Sequence, residues 1–239
     1  MPASSRPTTW LITGASRGIG LELTRQLLAS PDILVVGTVR NVEKATALSS
    51  LKSTARGTLH IIKLDLDNFD EIRASANDVA AVLGDAGLDY LVNNAGISLA
   101  PDTAFEIDPE LLLRTMRTNV AAPAVVAQAY LPLVEKSAKK TVVNISSTMG
   151  SHGAHMSAVS ASYAISKAAL NMLTVQEKFA RPDLTFISLC PGWVKTDMGT
   201  QAAPLEPHES VAGILKVIGS LTPTDSGKFL RYEGAEVPW

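Results

Sequence analysis

The chain has 239 residues, 46% hydrophobic and 18% charged, with a net charge of −2. So much apolar residue can bury a sizeable core, which excludes a disordered chain, and so small a net charge provides no broad basic surface for nucleic acid. The one cysteine, Cys190, cannot form an internal disulfide, which is compatible with a reducing compartment.

The opening stretch MPASSRPTTW has no apolar signal core. The longest apolar tract, residues 120–134, is short for a membrane span and holds two prolines and a glutamine. These features set the expectation of a cytoplasmic protein without a membrane segment.

Strand-like apolar runs then alternate with helix-like stretches. TWLIT (9–13) reads as a strand and is followed by a helix over about 17–29. ILVVGTV (33–39) is a second strand, after which Asn41 reads as the cap of a helix reaching about residue 52. LHIIKL (59–64) is a third strand, with a helix over 69–83, and LDYLVN (88–93) is a fourth. Asp108-Pro109-Glu110 has the cap, first-position and first-turn chemistry of a helix start, and that helix is expected to run to about 136. TVVNIS (141–146) is a fifth strand, and a helix containing Tyr163 follows a loop. LTFISLC (184–190), a helix over 207–219 and a last strand near 227–232 complete the pattern.

Strands alternating with helices predict a parallel sheet covered on both faces. No linker or repeat interrupts residues 1–239, so the expectation is one doubly wound α/β domain. In such sheets ligands bind beyond the C-terminal strand ends, near the switch in strand order.

TGASRGIG (13–20) lies at that place, between the first strand and its helix. Gly14, Gly18 and Gly20 allow a tight turn and a close approach to a pyrophosphate. Ser16, Arg17 and Ile19 lie in the same turn and are expected to contact the cofactor with it, and the helix N-terminus favours an anion. At the end of the second strand, residues 33–42 contain no Asp or Glu to bond a ribose 2′-OH. Arg40 stands there instead, and Arg17 lies inside the turn. Two guanidiniums suit a 2′-phosphate, which predicts NADP(H) over NAD(H).

SASYAISKAAL (160–170) places Tyr163 and Lys167 one helical turn apart on one face. A phenol ionises at about 10, and a neighbouring ammonium lowers that value. Lowering it by roughly three units takes about 4 kcal/mol and would give a proton donor and acceptor working near neutrality.

Taken together, these residues resemble the short-chain dehydrogenase/reductase family over nearly the whole chain. The carrying motifs are TGASRGIG, LDL (64–66), NNAG (93–96), YAISK (163–167) and PGWVKTDM (191–198). The strings SKAALNMLT and SGKFLRYEGAEVPW are most similar to the carbonyl-reductase-like branch that includes the C-factor and sniffer proteins and fungal ketoreductases. The resemblance implies a seven-stranded Rossmann sheet and a catalytic tetrad of Asn119, Ser147, Tyr163 and Lys167. In this scheme Tyr163 exchanges a proton with the substrate oxygen and Ser147 polarises that oxygen. Lys167 lowers the tyrosine pKa and holds the nicotinamide ribose.

The same resemblance places Asp65 and Leu66 by the adenine and Asn93, Ala95 and Gly96 along the cofactor. It places Pro191, Gly192, Val194, Thr196 and Met198 beside the nicotinamide. In this chain the serine-to-tyrosine gap is longer than the family's usual spacing of about thirteen residues, so Ser146 and Ser151 stand as rivals to Ser147. Ser146 would point to the other side of a continuing strand.

Pro123 lies four residues after Asn119. It has no N–H to give the Asn119 carbonyl, so the helix is expected to kink there and leave an acceptor for an ordered water. In the family that carbonyl is thought to hold a relay water.

His152 and His155 have no cysteine or acid in their loop to complete a metal set, and no metal is expected. Residues 198–210 mix glycine, proline and polar residues and read as a flap, and Trp239 reads as docking on its own core or on a neighbouring subunit. In similar proteins the helices of Asn119 and Tyr163 pair subunits, which implies a homo-oligomer, dimer or tetramer.

The functional expectation is an NADPH-dependent carbonyl reductase acting reversibly on a small carbonyl or alcohol. Leu99, Phe105, Met149, Met156 and Met198 in the variable loops point to an apolar substrate. The rival reading is a nucleotide-binding signalling or scaffold protein with little turnover.

Overall fold

The computed structural model describes residues 6–99, 101–154 and 158–239. Seven strands form one parallel sheet in the order β3-β2-β1-β4-β5-β6-β7. The strands are β1 (Thr8–Thr13), β2 (Ile33–Val39), β3 (Thr58–Lys63), β4 (Tyr90–Asn93), β5 (Thr141–Ile145), β6 (Thr185–Cys190) and β7 (Phe229–Arg231). The helices are α1 (Gly18–Leu27), α2 (Thr46–Ser50), α3 (Phe69–Leu83), α4 (Pro109–Met116), α5 (Ala122–Glu135), α6 (Ala161–Ala180) and α7 (Pro207–Ser220). The chain leaves β1 towards β2 and β3 on one side and returns to place β4 on the other. The switch in strand order therefore falls between β1 and β4, in front of the glycine turn.

Strand side chains alternate between faces, and each face has its own core. Trp10 and Ile12 of β1 join Val35, Val143 and Ile187 under α1 and α7, where Leu23, Val211 and Ile214 meet them. Leu11 turns to the other face with Val36, Leu91, Val142 and Phe186, under Ile72 and Val79 of α3 and Val126 and Tyr130 of α5. With both faces buried the strands are apolar throughout, as doubly covered parallel strands must be.

Three local features differ from expectation. Asn41 caps no helix. Its side chain accepts from Lys44 N–H at 2.9 Å and closes a turn, and α2 begins only at Thr46. An Asx turn satisfies the same side chain without committing the chain to a helix.

The long helix expected after Asp108 is interrupted. The Asp108 side chain caps α4, accepting from Glu110 N–H at 2.9 Å. Residues Arg117–Ala121 then form a π turn in which Ala122 N–H reaches back to the Arg117 carbonyl, and Pro123 follows at the start of α5. A wider turn just ahead of a proline relieves the clash its ring would cause, so the kink expected at Pro123 takes this form. Finally, residues 207–210 of the supposed flap belong to α7. The remainder is tied to the segment before it by Lys195 N–H to the Leu205 carbonyl and Trp193 Nε1–H to the Gly199 carbonyl.

Candidate active site

The glycine turn is locked against the loop that follows β4. Gly14 has φ +69°, and a Cβ there would stand 2.9 Å from that of Ala95. A Cβ on Gly20 would come within 2.4 Å of the Gly14 carbonyl oxygen. These contacts allow only glycine. Asn94 completes the lock. Its amide donates to the Thr13 carbonyl at 2.8 Å, while Thr13 Oγ1 accepts from the N–H groups of Asn94 and Ala95. Sequence reading singled out the neighbours of Asn94 and missed its role, although its place inside NNAG was the available signal.

No side chain caps α1, and its first turn holds no acid. The end of α1 thus keeps the chemistry of an anion cradle, and the residues present fit a dinucleotide.

The side chain of Asn93 does not face that cradle. It is buried in the sheet, where Nδ2 donates to Asn144 Oδ1 at 2.8 Å. Asn144 in turn donates to Thr174 and to Glu177 of α6. Burial raises the Glu177 carboxyl to about 7, against the opposing hydrogen bond from Asn144.

Asp65 is half-buried and accepts from Asp67 N–H at 3.0 Å, and Leu66 is buried in the second core. Arg40 is exposed at the end of β2. Arg17 does not stand free: it pairs at 2.6 Å with Asp197 of the PGWVKTDM segment, across the mouth of the cleft, with both side chains largely exposed. Beyond the turn, Val194 bridges to Leu205, Thr196 Oγ1 accepts from Gly199 N–H at 3.1 Å, and Met198 is exposed. Ser210 of α7 donates to the Pro191 carbonyl at 2.6 Å, and Gly192 packs against Leu205 and Tyr232.

The four tetrad positions converge at the C-terminal ends of β4 and β5. Asn119 is fully buried in the π turn. It clasps the backbone of Ile97, accepting from its N–H and donating to its carbonyl, both at 2.8 Å, and it also donates to Ser166 at 3.0 Å. This clasp fixes the loop carrying Gly96, where a Cβ would stand 3.6 Å from Lys167 Nζ.

Lys167 is buried and donates from Nζ to the Ile145 carbonyl at 2.7 Å. Its ammonium lies 5.6 Å from the centre of the Tyr163 ring. Burial lowers Lys167 to about 8.

Ser147 follows β5, where its hydroxyl accepts from Met149 N–H at 3.2 Å, and its side chain lies close enough to Tyr163 to oppose the upward shift of the phenol. The rival serines are engaged elsewhere. Ser146 is buried and donates to Asn171 Oδ1 at 2.6 Å, and Ser151 donates to the Pro238 carbonyl. His152 is exposed in the same loop, and His155 and Met156 lie outside the described residues.

The expected lowering of the phenol pKa is not found. Burial pushes Tyr163 up, proximity to Cys190 adds in the same sense, and the Ser147 side chain opposes both. Desolvation is the largest cause, because moving the hydroxyl out of water penalises the phenolate directly. At neutral pH the tyrosine is therefore a neutral O–H donor.

Beside it lies a cavity of about 90 Å³. Leu99, Pro101 and Asp102 line it from the loop after β4, Leu111 and Thr115 from α4, and Ser162 and Tyr163 from α6. The α4 contribution had no signal in the sequence. Trp239 stacks on Phe229 with ring centres 5.6 Å apart, and its carbonyl accepts from Gly153 N–H, which ties the end of the chain to the loop beyond Ser147.

A sequence model of the family described as short chain dehydrogenase matches residues 8–206. The chain belongs to the short-chain dehydrogenase family. It is an oxidoreductase of that family, whose chemistry is nicotinamide-dependent.

Three similar proteins fix its surroundings. The structure of the carbonyl reductase Sniffer of D. melanogaster superposes with a TM-score of 0.92 at 34% identity, over 98% of this chain and 100% of that one. The NADPH-bound carbonyl reductase from chicken fatty liver gives a TM-score of 0.89 at 36% identity, over 98% and 100%. The C-signal protein of Myxococcus xanthus is 40% identical over 154 residues, covering 64% of this chain and 93% of that protein. The branch resemblance read from the sequence is thus borne out. Among the described residues no helix is long and apolar enough to cross a membrane.

Proposed function

We propose that the protein is an NADPH-dependent carbonyl reductase that converts an apolar ketone or aldehyde to its alcohol, using residues 1–239 as one cofactor-binding domain. The reading is carried by one observation: a protonated Tyr163, beside Ser147 and next to the buried Lys167, lines a small cavity at the cofactor end of the sheet.

Bound NADPH supplies a hydride. Tyr163 gives its O–H proton to the substrate oxygen, and Ser147 donates a hydrogen bond to the same atom and orients it. The Lys167 ammonium stabilises the phenolate left behind, a charge that burial alone would oppose. Asn119 holds the loop of Gly96 in register with Lys167 through its two bonds to Ile97. The glycine turn holds the pyrophosphate at the start of α1, together with the backbone of Ser16, Gly18 and Ile19.

Arg40, exposed at the end of β2, would hold the 2′-phosphate, and Arg17 would join it there if it left its exposed pairing with Asp197. The chicken-liver carbonyl reductase, crystallised with NADPH, supports the phosphorylated cofactor. The apolar substrate rests on Leu99, Pro101 and Leu111 in the cavity wall.

We also infer a homo-oligomer. Ile165, Met172 and Phe179 recur every seventh residue along α6 and are 44%, 59% and 71% exposed, with Leu113 of α4 at 62%. Such an apolar stripe suits burial against a second copy.

The direct test offers NADPH deuterated at C4 to the purified protein with a panel of apolar ketones. The expected result is deuterium on the carbinol carbon, with NADPH favoured over NADH by at least about tenfold, the value of one good phosphate contact. NADPH binding with no ketone or aldehyde accelerating its oxidation would overturn the reading in favour of a nucleotide-binding regulator.

A further inference from the structure

The helix that carries Tyr163 does not cap itself. Ser160, immediately before it, has φ +62° and ψ +50° and makes no side-chain bond to the first turn. The open N–H groups are taken by a residue from a distant loop. The Asp102 carbonyl accepts from Ala161 N–H at 3.1 Å. The Asp102 carboxylate accepts from Ser162 N–H at 3.2 and 3.3 Å and also from the Ser162 hydroxyl.

Asp102 is half-buried and Ser162 is buried, so water does not readily replace this cap. A carboxylate there also complements the positive end of the helix dipole. Asp102 is at the same time part of the cavity wall, together with Leu99, Pro101 and Tyr163.

We infer that Asp102 is a positioning residue for Tyr163: it sets the start of α6 against the substrate-side loop, so the phenol and the wall that orients the substrate move as one unit. This rests on the reading of Tyr163 as the proton donor. The coupling is mechanical. Burial, Cys190 and Ser147 set the direction of the phenol's shift, and the bonds of Asp102 go to the backbone and hydroxyl of the first turn, not to the phenol.

The test compares Asp102→Ala and Asp102→Asn with the wild type for kcat, KM, NADPH affinity, the pH profile of kcat and backbone hydrogen exchange. In Asp102→Ala, kcat is expected to fall about tenfold to a hundredfold, as for a catalytic group displaced by about an ångström. NADPH affinity and the midpoint of the pH profile should stay unchanged. Asp102→Asn should restore most of the loss, since its amide oxygen still accepts from Ser162 N–H. Exchange in residues 98–107 and in the first turn of α6 should quicken together in Asp102→Ala. An Asp102→Ala variant that is only less heat-stable, with wild-type kcat per NADPH-binding site, would overturn the inference, as would faster exchange confined to the loop. A wild type that reduces no carbonyl would sink the functional reading separately, and the exchange result would still decide whether the loop and helix are tied.

Discussion

The two ends of the parallel sheet treat buried ionisable groups in opposite ways. At the N-terminal end, Asp89 ahead of β4 is almost wholly buried and fully partnered. Arg6 grips both carboxylate oxygens at 2.9 Å and Thr9 N–H donates at 3.0 Å. Burial alone would push the Asp89 carboxyl up, but Arg6 and Thr9 together outweigh it and hold the group below the usual carboxylate range. At the C-terminal end, Lys167 is buried and Tyr163 half-buried, neither has a counter-ion among the described residues, and both are displaced against their charged forms. One end uses its buried charge to fasten β1 to β4. The other bears a burial cost that no ion pair offsets, and it falls beside the cavity, where the proposed reaction needs a proton to move.

The largest stability effect should come from breaking the fastened end. Asp89→Asn removes a carboxylate whose partner is partly exposed, so a loss of about 2–3 kcal/mol is expected, below the full cost of splitting a wholly buried pair. Because the folded pKa of Asp89 is depressed, its contribution is present above the unfolded value of 3.8 and lost as pH falls through the folded one. Urea titration should therefore separate wild type and variant at pH 7 and bring them together under strong acid, with NADPH affinity unaltered. A variant as stable as wild type at pH 7 would remove the contrast between the two ends.

A smaller effect of opposite sign is expected midway, at Glu177. Its folded pKa is raised by burial to about 7 from 4.5, so stability is complete below the unfolded value and falls as pH rises through the folded one. Glu177→Gln should match wild type at pH 4 and exceed it by about 1–2 kcal/mol at pH 8, after allowance for partial exposure. Equal melting curves at both pH values would show that the carboxyl ionises freely in the fold.

The contrast also explains what could be read in the sequence. β2 and α3 were legible at their observed bounds, because a short apolar run and a helix-like stretch are local signals along the chain. The glycine turn and the pair Tyr163 and Lys167 were legible for the same reason: the spacing along the chain is the geometry. Features made by distant partners were not. Nothing near Asp102 in sequence marks it as the cap of a helix starting 59 residues later, and nothing near Arg6 points to Asp89. The direction of the Tyr163 shift was missed because it depends on burial, which spacing does not encode. That the side chain of Asn93 turns into the sheet towards Asn144 was not legible either, because alternation at a strand end does not say which face holds the cleft.

The central claim is that the uncompensated end of the sheet holds a neutral phenol that serves as the proton donor. The most direct measurement is single-turnover reduction of an apolar ketone by Tyr163→Phe, with NADPH affinity and thermal stability recorded on the same sample. The account predicts that NADPH still binds, that stability is equal or higher, and that the rate falls by about a thousandfold, within the range for loss of a general acid. A variant that binds NADPH and reduces the ketone at close to the wild-type rate would contradict it.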